Sequence, residues 1–303
     1  MSTTNPRTSA PAPAPGGTAA LAGHTVARIG FGTMQLEHAA AGRDAALAVL
    51  RQAVHEGVNH LDTAQFYGAG TCNRLIRDAL APYPDDLVLV SKVGADNDSG
   101  GALIPAQRPE QLRAQVDANL AALGTEQLSI VNLRRLDTRP GLTAEGDQRV
   151  DLDSQLAELA GLRDAGKIGG IGLSNVTAGQ LRQALPIGVA CVQNLYSVLD
   201  RSAEPVLDLC REHDIPWVPF FPLGSAFPGR PKVTGNPAIA SIASDLAATP
   251  AQVALAWLLA HDRNTLLIPG TSSPAHLAEN IAAGSIRLPA GAVAALGQLA
   301  ASS

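Results

Sequence analysis

Polar residues in this chain stand at the ends of short apolar runs, where a buried backbone would come back to the surface. Asp62 closes the run 58–62, Lys92 closes 87–92, and Arg134 directly follows 128–133. Ser174 and Asn175 lie just past the run 168–172, and Gln193 and Asn194 just past 189–192. A lysine and an aspartate at strand ends are the makings of a buried ion pair beside a reactive group. The same placement would serve a structural salt bridge, and charge placement alone leaves both readings open.

The elements that must hold these residues alternate with some regularity. Apolar runs at 26–31, 58–62, 87–92, 128–133, 168–172, 189–192, 215–220 and 265–268 read as strands. Helical periodicity covers 43–56, where Leu47, Leu50 and Val54 share a face, and further helices are expected at 73–80, 110–123, 152–165, after Thr177, at 204–213, 250–260 and 274–282. Gly166 stands where a glycine after a helix C-terminus is expected. The runs lack strict polar/apolar alternation, as parallel strands covered by helices do. Eight strand–helix units in 303 residues predict an α/β fold, a single-domain (β/α)8 TIM barrel over 21–303. An open doubly wound sheet is disfavoured, since no G-x-G-x-x-G follows the first strand. Residues 24–28 are expected in a small hairpin plugging the barrel floor, and a helix near 236–246 is inserted before the last strand. Residues 1–20, rich in Pro and Ala, read as a disordered tail, not a signal peptide.

Composition removes several function classes. A net charge of −5 without basic runs gives no case for nucleic acid or an anionic membrane. No apolar stretch approaches the roughly 20 residues of a membrane helix. Cys72, Cys191 and Cys210 are far apart and match no metal or disulfide spacing, so they read as reduced thiols of a cytoplasmic protein. His60 reads as a packed strand histidine; His24, His38, His55, His213 and His261 read as scaffold or surface. No metal site and no obligate protein partner are expected. Aromatic residues make up only 3% of the chain, so any that gather at a site are informative.

The wording of the segments carries more. Ile29-Gly-Phe-Gly-Thr-Met34 is followed by Gly57-Val-Asn-His-Leu-Asp-Thr-Ala-Gln-Phe-Tyr-Gly68, Ser91-Lys92-Val93, Gly170-Ile-Gly-Leu-Ser-Asn175 and Val192-Gln-Asn194. Pro219-Phe-Phe-Pro-Leu-Gly-Ser225 and Ile268-Pro-Gly-Thr-Ser-Ser-Pro-Ala-His-Leu-Ala-Glu-Asn280 complete the series. In this order they resemble aldo-keto reductases across nearly all of the folded part. The resemblance implies reduction of an aldehyde or ketone, a small-molecule carbonyl, with hydride from NADP(H), NAD(H) being allowed. Tyr67, five positions after Asp62, is then the general acid; Lys92 lowers its pKa, and Asp62 holds and balances the lysine. Ser174, Asn175 and Gln193 would hold the nicotinamide carboxamide and Phe220 would stack on the ring. Leu223, Gly224 and Ser225 would wrap the pyrophosphate, and Gly270, Thr271, Ser272, His276, Glu279 and Asn280 the adenosine end. Helix capping is the competing role for Ser174 and Asn175, and core packing for Phe220.

One position departs from the family pattern. Where relatives carry a histidine at the end of the fourth strand, this chain reads Ile130-Val-Asn-Leu-Arg134-Arg135. Strand alternation puts Ile130, Asn132 and Arg134 on one face. A guanidinium does not shuttle protons near neutral pH, but it suits a substrate with an anionic oxygen beside its carbonyl. Pairing with Asp137 is the competing fate. The combination of motifs is similar to bacterial pyridoxal reductases, which implies reduction of pyridoxal to pyridoxine. A ketone of a sugar or natural-product pathway is the alternative, as are a non-catalytic nicotinamide-binding regulatory subunit and a Schiff-base aldolase using Lys92. Loops 94–107 and 137–150 are the candidates for substrate choice.

Overall fold

In the computed structural model, residues 12–37, 42–137, 141–224 and 231–299 are described. The chain begins with an antiparallel hairpin, β1 (Thr18–Leu21) and β2 (His24–Ala27), turned at Ala22 and Gly23, both with positive φ. Three residues assigned above to the tail, Thr18 to Ala20, are therefore part of a strand. Residues 1–11 lie outside the described part.

The barrel staves follow in order: β3 (Phe31–Gly32), β4 (His60–Asp62) and β5 (Val88–Val93), then, after the small β6 (Ala95–Asn97) and β7 (Leu103–Pro105) hairpin, β8 (Leu128–Arg134), β9 (Ile168–Ser174) and β10 (Val189–Gln193). All six pair in parallel in the order β3-β4-β5-β8-β9-β10. The two remaining runs make only isolated parallel bridges, yet these close the ring. Val192 pairs with Trp217, Trp217 with Thr265, and Leu267 with Ile29. The closing bonds run from Val218 N to Val192 O and from Gly30 N to Leu267 O, both 2.8 Å.

Helices α1 (Gly42–His55), α2 (Thr71–Leu80), α3 (Pro109–Leu123), α4 (Leu152–Asp164), α5 (Ala178–Ala184), α6 (Glu204–Glu212), α7 (Pro237–Asp245), α8 (Pro250–His261) and α9 (Pro274–Ala282) cover the outside, and α10 (Ala290–Gln298) ends the chain. Several start on sequence-coded caps. Thr177 with Gln180 and Thr249 with Gln252 form capping boxes, and Asp151 and Ser273 accept from backbone N–H groups of the first turn. The helix after β9 is thus capped by Thr177, not by Ser174 or Asn175. Gly166 has φ +76° past the end of α4, as expected.

Alternation sorts the strands into two cores. Val88, Val90, Ile130, Cys191, Val218 and Leu266 point inward and pack on Leu21 and Val26 of the hairpin, which plugs the floor. Leu89, Val93, Val131, Leu133, Ile171 and Leu173 point outward into the larger core beneath the helices. His60 also points inward, fully buried, and its ring occupies the place a side chain at Gly30 would take, 2.2 Å from an ideal Cβ. Burial pushes its imidazole down to about 4, so it is a neutral packing group.

Candidate active site

The loop 63–70 between β4 and α2 carries Tyr67, and a buried polar cluster shapes it. Thr63 Oγ1 donates to Asn73 Oδ1 (2.7 Å), and Asn73 Nδ2 donates to Gln65 Oε1 (2.8 Å) and Asn119 Oδ1 (2.9 Å). Ser91, beside Lys92, donates to the same Asn119 oxygen at 2.5 Å. Tyr67 packs edge-on against Phe66, with ring centroids 5.2 Å apart. Its loop is therefore tied to β5 and α3 as well as to its own strand.

At the mouth of the barrel Lys92 Nζ donates to Asp62 Oδ1 and to Thr63 O (3.1 Å), and it lies 5.0 Å from the Tyr67 ring centre. Both charged groups are buried. Burial works against the Lys92 ammonium, but Asp62 and then Tyr67 outweigh it, so Lys92 is held above its ordinary range and stays charged. For Tyr67 the balance differs from the expectation. Burial raises its phenol, and this exceeds the lowering by Lys92 and Arg134, so Tyr67 is held above its ordinary value. The hydroxyl is protonated at neutral pH, the form able to donate to a carbonyl oxygen.

These residues line a cleft of about 160 Å³, together with Arg134, Ser174, Asn175, Phe220 and Gly270. Arg134 has its guanidinium carbon 5.6 Å from the Phe66 ring centre. Among the described residues it makes no ion pair. The competing fate proposed for it belongs to its neighbour: Arg135 pairs with Asp137 (2.6 Å) and donates to Val150 O (3.0 Å) and to Gln155 Oε1. Burial lowers the Arg134 pKa and Tyr67 raises it in part, from a starting value high enough to leave the group cationic.

The remaining expected site residues separate into groups. Asn175 adopts φ +57° at the end of β9, and its Nδ2 donates to Arg135 O (3.0 Å). Gln193 is not a free carboxamide: its Nε2 donates to Asp62 Oδ2 (2.6 Å), while its Oε1 is buried without a partner among the described residues. Phe220 packs edge-on against Phe221, centroids 5.4 Å apart. Leu223 and Gly224 lie next to it, Gly224 at φ +95° with Pro231 O only 2.5 Å from where a Cβ would stand. Ser225 lies outside the described residues. Gly270 has Gly32 O and Gln35 Oε1 closer than 2.5 Å to the position of an ideal Cβ. Thr271 Oγ1 accepts from Ser273 N (3.0 Å) where the chain enters α9. Ser272 is half-buried just before that helix, and His276 is exposed, Glu279 half-buried and Asn280 buried along it, all away from the cleft lining.

Met34, Gln35, Leu142, Leu195 and Phe221 also line the cleft but were not singled out from the sequence. Leu142 comes from the loop 137–150, which was named for substrate choice without a readable code. Met34 closes the segment 29–34 that carries part of the family resemblance but was given no role there, and Gln35 and Leu195 had no signal beyond lying near strand ends. No His/Cys/Asp/Glu cluster able to hold a metal occurs among the described residues. No single helix there is long and apolar enough to cross a membrane.

A closed parallel barrel thus brings Tyr67, Lys92 and Asp62 together at the C-terminal ends of its strands, the face on which barrel enzymes carry their active sites. The Aldo/keto reductase family model matches residues 28–301, and the chain belongs to that family. It is 42% identical to the pyridoxine 4-dehydrogenase of Escherichia coli over 270 residues, 87% of this chain and 91% of that one. An uncharacterized oxidoreductase of Schizosaccharomyces pombe is 31% identical, covering 90% and 86% of the two chains. Among solved structures, an aldo-keto reductase of Klebsiella pneumoniae in complex with NADPH superposes with a TM-score of 0.76 at 26% identity, covering 91% of each chain. The protein is therefore an oxidoreductase whose substrate is a small-molecule carbonyl.

Proposed function

We propose that this enzyme reduces pyridoxal to pyridoxine with NADPH. The observation that carries the reading is Arg134, a cation in the cleft beside Tyr67 with no ion-pair partner among the described residues. The 3-hydroxyl of pyridoxal is ionised at neutral pH and lies next to the 4-aldehyde. A substrate of this kind brings Arg134 the anionic oxygen it lacks. Phe66, Tyr67, Phe220 and Phe221 gather around the cleft in a chain with 3% aromatics, which suits a flat heteroaromatic ring. The 42% identity to a pyridoxine 4-dehydrogenase supports the same substrate pair.

The residues present fit a nicotinamide dinucleotide. Ser174 and Asn175 line the cleft. Gln193, paired in register with Ser174 just behind that lining, keeps its Oε1 without a partner among the described residues, an acceptor of the kind a carboxamide N–H requires. Phe220 offers a ring face, Leu223 and Gly224 a bend for the pyrophosphate, and residues 270–280 the adenosine end. Gly32 and Gly270 let the first and last strand ends pack closely beneath the cleft, since a Cβ on Gly32 would stand 2.5 Å from Ile268 O and one on Gly270 2.4 Å from Gly32 O. Lys232, paired with Gly224, adds a cation to that stretch. The kinship with a structure solved with NADPH supports the phosphorylated form; Ser272, Ser273 and His276 form a softer recognition set than an arginine clamp.

When bound, the reduced cofactor supplies hydride. Tyr67 Oη donates the proton to the carbonyl oxygen and polarises it beforehand. The fixed Lys92 cation stabilises negative charge growing on Tyr67, and Asp62 holds the lysine against burial. Arg134 anchors the oxygen ortho to the aldehyde and so sets which face of the carbonyl is offered.

The test is pyridoxal-dependent oxidation of NADPH, followed by absorbance, with wild type and Tyr67→Phe in parallel. Rapid turnover lost in the variant is expected. Reduction of 4-nitrobenzaldehyde without pyridoxal turnover would keep the chemistry and discard the substrate, moving the enzyme to another carbonyl.

A further inference from the structure

We propose that Gln107 is a positioning residue for substrate choice, acting by fixing the strand end that carries Arg134. The inference rests on the reading of Arg134 given above. Gln107 is buried, 1% exposed, and stands outside the cleft, between β7 and α3. Its Nε2 donates to Gly94 O (2.6 Å) and to Arg134 O (2.8 Å). One amide thus clamps the two strand ends that carry Lys92 and Arg134, where the β5–β8 register has just ended at Val93 and Leu133. The clamp is tight. A Cβ on Gly94, at φ +109°, would stand 2.4 Å from Arg134 O and 2.6 Å from Gln107 Nε2.

Gln107 is itself held from behind. Gln155 Nε2 donates to Gln107 O (2.6 Å) and Oε1 (3.0 Å), and Gln107 N donates to Gln148 Oε1 (2.8 Å). Gln155 Oε1 in turn accepts from Arg135, which reaches Asp137 and Val150 O. Gln107, Gln155 and Arg135 form a continuous buried chain from the Arg134 backbone to both ends of the loop 137–150. That loop brings Leu142 to the cleft. Buried polar networks of this kind fix geometry when every member is satisfied.

The proton-transfer group has separate supports. Tyr67 and its loop rest on Thr63, Gln65, Asn73 and Asn119, and Lys92 is held by Asp62 and Thr63 O. Gly94 has a second support, its N–H donating to Gln115 Oε1 (2.7 Å). Loosening the Gln107 clamp therefore displaces Arg134 and Leu142 more than Tyr67, and it affects the binding of an ortho-oxyanion more than proton donation.

A matched pair of aldehydes reads this out: 3-hydroxypyridine-4-carbaldehyde and pyridine-4-carbaldehyde, which differ by the hydroxyl alone. Gln107→Met, close in shape but without the donor, is expected to lower the ratio of their kcat/KM values about tenfold, mainly through KM of the hydroxylated substrate. Gln155→Met should shift the ratio in the same direction, and it decides the matter if Gln107→Met does not fold. Equal losses on both aldehydes, or an unchanged ratio, would overturn the proposal. Arg134→Met separates the two layers. If it lowers the ratio while neither glutamine variant does, only the clamp fails; if it leaves the ratio alone, the reading of Arg134 fails.

Discussion

Arg134 and Arg135 are adjacent in the chain, and the two walls of the barrel treat them in opposite ways. On the inner wall Arg134 faces the cleft, touches Phe66 and makes no ion pair among the described residues. On the outer wall Arg135 is saturated by Asp137, Gln155 and Val150 O. Strand alternation sends successive side chains to opposite faces, so one arginine is spent on structure and the other is left for a ligand. A buried cation with all its partners, such as Arg135, is a brace; Arg134, half-buried at the cleft and without an ion pair among the described residues, can take an anion.

The largest expected effect lies on the inner wall. Tyr67→Phe should lower kcat for carbonyl reduction about a thousandfold, roughly 4 kcal/mol in barrier, with an unchanged melting temperature. Retained turnover in that variant would remove Tyr67 as the acid. On the outer wall the loss should appear in stability: Arg135→Met leaves Gln155 Oε1 and Val150 O without a donor and should cost about 3 kcal/mol in urea denaturation. Arg134→Met should cost no stability under the same conditions. Equal destabilisation by the two substitutions would erase the contrast between the walls.

Below the site the barrel interior offers a further contrast, since His60 is buried as deeply as Lys92 but, among the described residues, has no carboxylate opposite it. Its folded pKa, pushed down to about 4, lies below the unfolded value of about 6.5. The unfolded chain therefore takes up the proton first, and stability falls as pH drops from about 6.5 towards 4, by up to about 3 kcal/mol. His60→Leu should flatten that acid limb, measured as the difference in unfolding free energy between pH 7 and pH 4.5; a limb unchanged in the variant would assign it to other groups. The smallest effect concerns pH and rate. Because Tyr67 is held above its ordinary value, it stays protonated, and kcat for reduction should stay level between about pH 6 and 9. A fall centred near neutral pH would point to a different acid.

Much of this arrangement is legible along the chain, because it depends on local rules. The apolar runs mark all eight staves, Thr177, Thr249 and Ser273 mark helix starts, and Gly166 marks a helix end. Alternation in 128–134 placed Ile130, Asn132 and Arg134 on the inner face, where the first lines the inner core and the last the cleft. Other features needed contacts between residues far apart. Two staves make only isolated bridges, so barrel closure depends on Leu267 meeting Ile29 across the chain. The Tyr67 pKa was expected to fall because Lys92 is nearby, but burial, which only the packed structure sets, outweighs it. Gln193 was expected to hold the nicotinamide carboxamide; its Nε2 is bonded to Asp62, 131 positions away, a contact that no local pattern announces, and only its Oε1 stays unpartnered among the described residues. The sequence by itself determined the element order, the family and the residues able to move a proton, since these follow from periodicity, capping and local motif. Tertiary structure alone decided which arginine would be satisfied and what braces it, because hydrogen-bond partners such as Gln107, Gln155 and Asp137 are brought together only when strands and loops pack.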